Sequence, residues 1–480
     1  MTTLRLHSAA GRWMVAGSVL GSGAVFLEGS VVNVALPAIA RDFHVGVAGL
    51  QWVMNGYLLT LGALMLLGGA LGDRFGRPRV FAIGCVAFAL ASFGCALAPG
   101  LLLLVVLRAV QGAAGAILVP NSLAMLDTAF EDEERGAAIG QWAAWSAVST
   151  ALGPFVGGWL VDALSWRWVF SAVIVFALAA AAILVRHIAR GESKQAAKAS
   201  ADSGGIDYLG AALGTLALAG IVGALMEGPV LGFTSWRIVA AGVGGVVCMT
   251  AFIVLELHVP HPILPLSIFR SRQFSGVNAA TFLIYAALSG LFFLLMPQLQ
   301  SNLHYSALLA GAALTPANVI MLVVSPISGR ASARMGARVL MTVGALIAAG
   351  GMLLFARVQP GASYLGTVLP ATIVFGLGLS ILVAPLTSAV LSAVQERDTG
   401  IASGINNAVA RLAGLIATAA LPLAAGLGGA AKLEGAAYTA GYARAMLISA
   451  GLCAVGAVVA LITVRNDHPS RTSAQRRKPR

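Results

Sequence analysis

Apolar residues in this chain come in long unbroken runs rather than in alternation. The stretch 101-LLLLVVLRAVQGAAGAILVP-120 is typical, with one charge in twenty residues. A bilayer core about 30 Å thick needs roughly 20 such residues to cross it as a helix. Membrane strands would instead show segments of about ten residues with strict alternation. The pattern therefore predicts helices, whose backbone groups are all satisfied within the segment. Fourteen spans are expected, beginning near Trp13, Gln51, Val80, Leu101, Gly136, Arg167, Asp207, Ile238, Ser275, Ala307, Val339, Tyr364, Gly400 and Ala445. The seventh and eighth are separated only by 227-EGPVLGFTSW-236, which is read as their loop.

Composition agrees. The chain is 59% hydrophobic and 10% charged over 480 residues, with a mean hydropathy of +0.89. Soluble domains run at about 45–50% apolar and about 25% charged, and no aqueous core of this size hides so much apolar surface. The lipid bilayer is the implied solvent.

The net charge of +12 then reports orientation. An even span count puts both termini on one side. Of the 30 Lys and Arg, 22 fall on that side, six on the other, and two, Arg108 and Arg411, within spans. Cytoplasmic loops carry the Lys/Arg excess, so both termini are expected in the cytoplasm of a bacterial plasma-membrane protein. The basicity is topological and does not indicate nucleic-acid binding. No cleavable signal sequence is recognisable. Cys85, Cys95, Cys248 and Cys453 lie scattered in spans without metal or redox spacing.

The chain also repeats itself. The turn 69-GALGDRFGRPR-79 has a counterpart in 329-GRASARMGAR-338; 135-RGAAIG-140 matches 399-TGIASG-404; Pro120 matches Pro385. Offsets of 260 to 265 residues thus recur three times. The expected organisation is an all-α membrane protein of two six-helix bundles, residues 1–190 and 273–466. Between them, 191–272 holds a loop and two linker helices, and 467–480 is a basic tail.

Two six-helix halves, an even span count and that glycine- and arginine-rich turn resemble the major facilitator superfamily. More narrowly, the chain resembles its fourteen-spanner drug:proton antiporter branch, the EmrB/QacA type. The resemblance rests on 27-LEGSVVNVALP-37, 51-QWVMNGYLLT-60, 69-GALGDRFGRPR-79, 107-LRAVQGAAGA-116, 149-STALGPFVGG-158 and 166-WRWVF-170. In the second half it rests on 325-SPISGRASARMGAR-338 and 400-GIASGINNAVARLAG-414. Glu28 stands where the branch usually has Asp, Ser149 stands in place of a Gly, and Val173 and Val175 replace an Asn-x-Pro.

The resemblance implies roles for particular residues. In the turn, Gly69, Asp73, Gly76 and Arg77 form a cytoplasmic gate, with Asp73 facing the start of span thirteen near Gly400, where a helix dipole favours an anion. Asp127 is a candidate partner for Arg77. Arg74 and Arg79 read equally as topological anchors. Gly153, Pro154, Gly157 and Gly158 are the antiporter motif, expected to seal span five against span ten by close packing.

Glu28, Arg108 and Arg411 are the ionisable residues read as lying well inside spans. Each costs about 2.5–3.5 kcal/mol at mid-membrane on insertion scales, which marks such residues as functional. Counted from the span ends, Glu28 lies about 12 Å deep and Arg108 about 10 Å. They share a level. With family architecture placing spans one and four around a central cavity, the two side chains are placed to meet or to compete through water there, and Glu28 is expected to bind a proton from outside and substrate from inside in turn; a purely structural pair is the alternative. Arg411 and Asn407, one turn apart, are read as cavity wall or as a packing cluster. Asn33, Asn55, Tyr57, Gln111 and Trp142 are candidate cavity contacts.

The implied function is a proton-coupled antiporter exporting lipophilic or cationic drugs or small metabolites, with a transporter of anionic metabolites as the alternative. Small-molecule substrate and protons are the expected partners, and no motif bears on a periplasmic adaptor. With no P-loop, catalytic triad, HExxH spacing or soluble domain, the chain is not read as an enzyme or sensor, and no cofactor is expected.

Overall fold

A computed structural model describes residues 4–187, 207–259, 262, 264–395 and 399–465. The loop residues near 191–206, Arg397 and the basic tail lie outside the described residues. Among the described residues the secondary structure is helical, apart from an isolated bridge between Leu4 and Phe130.

Six helices make the first bundle: α1 (Ala9–Phe43), α2 (Val47–Phe75), α3 (Arg77–Leu97), α4 (Leu101–Ala129), α5 (Asp132–Ala163) and α6 (Trp168–His187). A hairpin of α7 (Tyr208–Leu231) and α8 (Trp236–His258) follows. The second bundle holds α9 (Arg272–Pro297), α10 (Ala307–Ala312), α11 (Thr315–Met335), α12 (Ala337–Phe355), α13 (Leu369–Ser392), α14 (Thr399–Ala424) and α15 (Ala436–Thr463). With α10 and α11 counted as one interrupted span, fourteen helices cross the molecule. Thirteen of these are long and apolar enough to be judged spans on hydropathy alone. The fourteenth is α5, whose first turns carry 132-DEER-135.

Helix bounds follow the expected ones closely except at one start and one end. The last helix begins at Ala436, not near Ala445, and buries Tyr438 and Tyr442 in its first two turns. The Tyr438 hydroxyl donates to the Leu294 carbonyl at 3.1 Å, which ties this start to α9. The seventh helix runs through Pro229 to Leu231, so Glu227 belongs to a helix and not to a loop.

The internal repeat has a backbone counterpart. Gly76 ends α2 at φ 90° and Gly336 ends α11 at φ 83°, and each begins the next helix directly. A left-handed turn of this kind favours glycine, because a Cβ is strained there. Pro120 and Pro385 lie inside α4 and α13, the fourth helices of their bundles.

We call the end bearing the start of α1 and the 69–79 turn proximal, and the opposite end distal. The bundles touch along two seams, α2 with α14 and α5 with α10. The α7 helix covers the first seam: Leu218, Val222 and Met226 pack with Leu415 and Ala419 of α14 and with Trp52 and Leu59 of α2. Large apolar side chains such as Leu102, Val175 and Leu322 project outward, as a lipid-facing surface requires.

Candidate functional site: a buried ion pair, a lumen arginine and a distal seal

Glu28 on α1 and Arg108 on α4 do meet. The Arg108 Nη1 donates to Glu28 Oε1 at 2.5 Å, and both side chains are wholly buried. The same nitrogen donates to Gln111 Oε1 at 2.7 Å, and Arg108 Nε donates to the Val53 carbonyl at 3.1 Å. Gln111 in turn donates to the Ser92 hydroxyl at 2.8 Å. The guanidinium lies 4.3 Å from the Tyr57 ring centre and 5.8 Å from that of Phe170. Two polar atoms in this nest have no hydrogen-bond partner: Glu28 Oε2 and Arg108 Nη2.

Ser92, Phe170 and Val53 belong to α3, α6 and α2, so the pair sits inside the first bundle. It does not line a cavity between the bundles. Helix geometry gives the reason. At about 100° per residue, Phe26 and Glu28 point some 200° apart. Glu28 faces α4 within its own bundle, whereas Phe26 faces the second bundle. Depth predicted the encounter; only the angular position decides which compartment holds it.

Phe26 meets the second charged group. Arg411 of α14 has its Cζ 5.6 Å from the Phe26 ring centre, and Trp142 of α5 packs edge-on against the same ring at 6.1 Å. A methyl group at Gly62 of α2 would stand 3.4 Å from the Arg411 Cβ. Tyr57 of α2 and Tyr285 of α9 are within electrostatic reach of the guanidinium. Arg411 thus occupies the lumen where both bundles converge. Its Nε is buried without a partner, and among the described residues no carboxylate lies within ion-pair distance of it.

The remaining cavity candidates divide. Trp142 donates to the Ser22 hydroxyl at 2.7 Å, holding its ring in the lumen wall. Asn33, seven residues from Phe26 and so on the same helix face, donates to the Gly29 carbonyl and stays half-buried. Asn407 is exposed and donates to Ser403 of its own helix. Tyr57 is buried, its hydroxyl donating to the Val25 carbonyl at 3.2 Å. Asn55 turns away from the lumen to Met226 of α7.

The gate residues are arranged differently from the expected relay. Arg77 Nε pairs with Asp73 at 2.8 Å, one turn before it, and Arg77 Nη1 donates to the Ala124 carbonyl at 2.8 Å. Asp127 is not its partner and lies 3.8 Å from Arg135. Nor does Asp73 reach Gly400: a Cβ there would find nothing within 4 Å, and the same holds at Gly136 and Gly140 of α5. At these three positions α5 and α14 border open space, while a Cβ at Gly404 would stand 3.6 Å from Leu66 Cδ2 of α2. Gly69 packs loosely, 3.7 Å from the Pro120 Cβ.

At the distal end the bundles are joined. The antiporter motif has two faces. Gly153 and Gly157 let α5 approach Ser30 and Val31 of α1, while Gly158 abuts the backbone of Ala307 and Leu308, and Gly311 abuts the Pro154 carbonyl. One turn beyond Gly158, the Asp162 carboxylate accepts the Ala307 and Leu308 amides at 3.0 and 2.8 Å. Ser306 accepts the Leu309 amide at 3.2 Å. Three of the four orphan amides at the start of α10 are thereby satisfied, two of them by the opposite bundle. Further cross-bundle bonds run from Val47 N to the Ala430 carbonyl, from Gln51 Nε2 to the Thr418 carbonyl and from Gln300 Nε2 to the Val34 carbonyl.

Sequence reasoning overlooked Asp162, although it shares the face of Gly158 at i+4. It also overlooked Glu227, which accepts from Trp52 Nε1 at 2.6 Å and fastens α7 to α2. That acid was hidden by reading 227–236 as a loop.

Two parallel six-helix bundles, a central lumen and a seam closed at one end define a membrane transporter, and the family comparison agrees. The model of the Major Facilitator Superfamily matches residues 18–418, and the chain belongs to that superfamily. It is accordingly a transporter and not an enzyme. The puromycin resistance protein pur8 of Streptomyces alboniger is 34% identical over 94% of this chain and 90% of its own length. The methylenomycin A resistance protein of Bacillus subtilis is 31% identical over 86% of this chain and 89% of its own. Among solved structures, a peptide transporter POT in complex with sulfate covers 96% of both chains at a TM-score of 0.70 and 14% identity. The xylose transporter XylE from E. coli, in a partially occluded inward open conformation, aligns at a TM-score of 0.61. At this identity the structures share the fold.

Proposed function

We propose that the protein is a proton-coupled antiporter of the bacterial plasma membrane that exports lipophilic small molecules by alternating access. Its proximal end faces the cytoplasm, following the Lys/Arg excess there, so the present conformation is open inward. The two six-helix units, residues 1–190 and 273–466, rock against each other around the lumen. The relatives named for antibiotic resistance support drugs or related metabolites as cargo.

The observation that carries the proton role is the buried carboxylate of Glu28, with one oxygen committed to Arg108 and the other to nothing. A proton arriving on Oε2 would cancel the charge that holds Arg108 and loosen α1 from α4. Because Phe26 and not Glu28 faces the lumen, proton and cargo exclude one another through the conformation of α1 rather than by contesting one site. Membrane voltage acts on such a proton with about 3.5 kcal/mol at 150 mV, enough for a gradient of several hundred-fold. Asp73, Arg77 and Asp127 form the inward gate in the opposite state. There the parted proximal ends close, and Asp73 reaches the start of α14.

The test is transport in proteoliposomes under an imposed pH gradient, with puromycin and methylenomycin A in the cargo panel. Glu28→Gln keeps the hydrogen bond to Arg108 and removes the titration. It is expected to fold, to bind cargo and to lose gradient-driven accumulation. Accumulation by this variant equal to that of the parent overturns the proton role.

A further inference from the structure

The lumen contains one charge that no carboxylate among the described residues balances. Glu28 is spent on Arg108 at 2.5 Å, inside the first bundle. Glu227 accepts from Trp52 on the flank, and the Glu256 carboxylate accepts the Leu264 amide at the end of the linker hairpin. Arg411 is left with the face of Phe26 and an unsatisfied Nε. A cation–π contact offsets part of the desolvation of a guanidinium but leaves its charge intact. A cation in this position repels a second one, and the low local polarity strengthens that repulsion.

The geometry points to Arg411 as the recognition site for an anionic group on an aromatic cargo. A carboxylate or sulfonate can accept two parallel hydrogen bonds from one edge of the guanidinium, the unpartnered Nε included. The ring system it carries then lies against Phe26 and Trp142, whose rings already meet edge-on at this point. The open proximal end gives such a molecule access, and Asn407, one turn nearer that end and exposed, offers an amide on the way in. The assignment rests on the export reading above and narrows it. Of the lipophilic or cationic cargo implied by the sequence, the cationic class is disfavoured.

Three probes that share one ring system separate the alternatives: naphthalene-2-carboxylate, 2-naphthamide and 2-naphthylmethylammonium. Binding to the purified full-length protein at fixed pH is followed by quenching of Trp142, with Trp142→Phe identifying its share of the signal. The carboxylate is expected to bind about tenfold more tightly than the amide, the scale of one charge-assisted hydrogen bond, and the ammonium most weakly. Arg411→Gln should erase the preference, and Arg411→Lys should keep part of it. A variant that fails to fold is recognised by size-exclusion chromatography, and the parent's ranking of the three probes remains decisive. Equal binding of the three probes, tighter binding of the ammonium, or an unchanged ranking in Arg411→Gln overturns the assignment. Because equilibrium binding needs no gradient, anion preference without gradient-driven transport would sink the proton role and leave this site standing.

Discussion

The two ends of the lumen are built from the same helices and behave oppositely. At the distal end, glycines bring α5 and α10 into backbone contact, and Asp162, Val47, Gln51 and Gln300 bond across the seam. At the proximal end the charged residues look to their own bundle: Arg77 to Asp73 and Ala124, Asp127 towards Arg135. The distal closure uses backbone amides and carbonyls, which are fixed in place by their helices. The proximal end offers long charged side chains, which here find partners only within their own bundle. One end is shaped to fit, and the other is equipped to grasp.

Substitutions at three positions test that contrast, all read by the same measurement. A cysteine at position 33, on the lumen face of α1, is labelled from the distal side by a membrane-impermeant maleimide, in a background with Cys248 replaced by Ser. The largest effect is expected from Gly158→Val. A Cβ there would stand 2.6 Å from the Leu308 Cα and 2.7 Å from the Ala307 carbonyl carbon. Overpacking of a few kcal/mol corresponds to roughly hundredfold faster labelling. Unchanged labelling would mean that the glycine face does not seal this end.

Asp162→Ala comes next. It strands two amides at the start of α10 and should raise labelling by about tenfold, while Asp162→Asn, which keeps one acceptor, should fall between. If both variants label like the parent, the cap is incidental to closure. Arg77→Ala should alter distal labelling by less than about twofold, since it removes a half-exposed pair within one bundle. Its effect belongs to transport, which is expected to fall because the opposite state loses its grip. A large change in distal labelling would erase the distinction between the ends.

Much of the fold was legible in the chain. Apolar run length gave fourteen spans, and the repeated glycine turns gave two bundles, because each feature reports a local property: thickness crossed in one case, a left-handed backbone in the other. The site was legible in part. The shared depth of Glu28 and Arg108 is a one-dimensional quantity: it put them at one level, where the structure pairs them. Which compartment they share depends on rotation about the helix axis relative to neighbours, which no span boundary records. Arg77 and Asp127 illustrate the same limit, since a charged side chain several bonds long chooses among partners by conformation. Asp162 and Glu227 escaped notice for a simpler reason. Each sits near a helix end, where an acid in the sequence looks like a solvated loop residue.

The linker hairpin makes the two flanks of the transporter unequal. On one flank α7 lies over the junction of α2 and α14, held there by Glu227, so any change of angle between the halves slides protein on protein beneath a fixed awning. On the other flank the junction of α5 with α10 has no such cover among the described residues, and the same change of angle would part and reseal acyl chains. Bilayer stiffness would therefore brake the cycle from one side only.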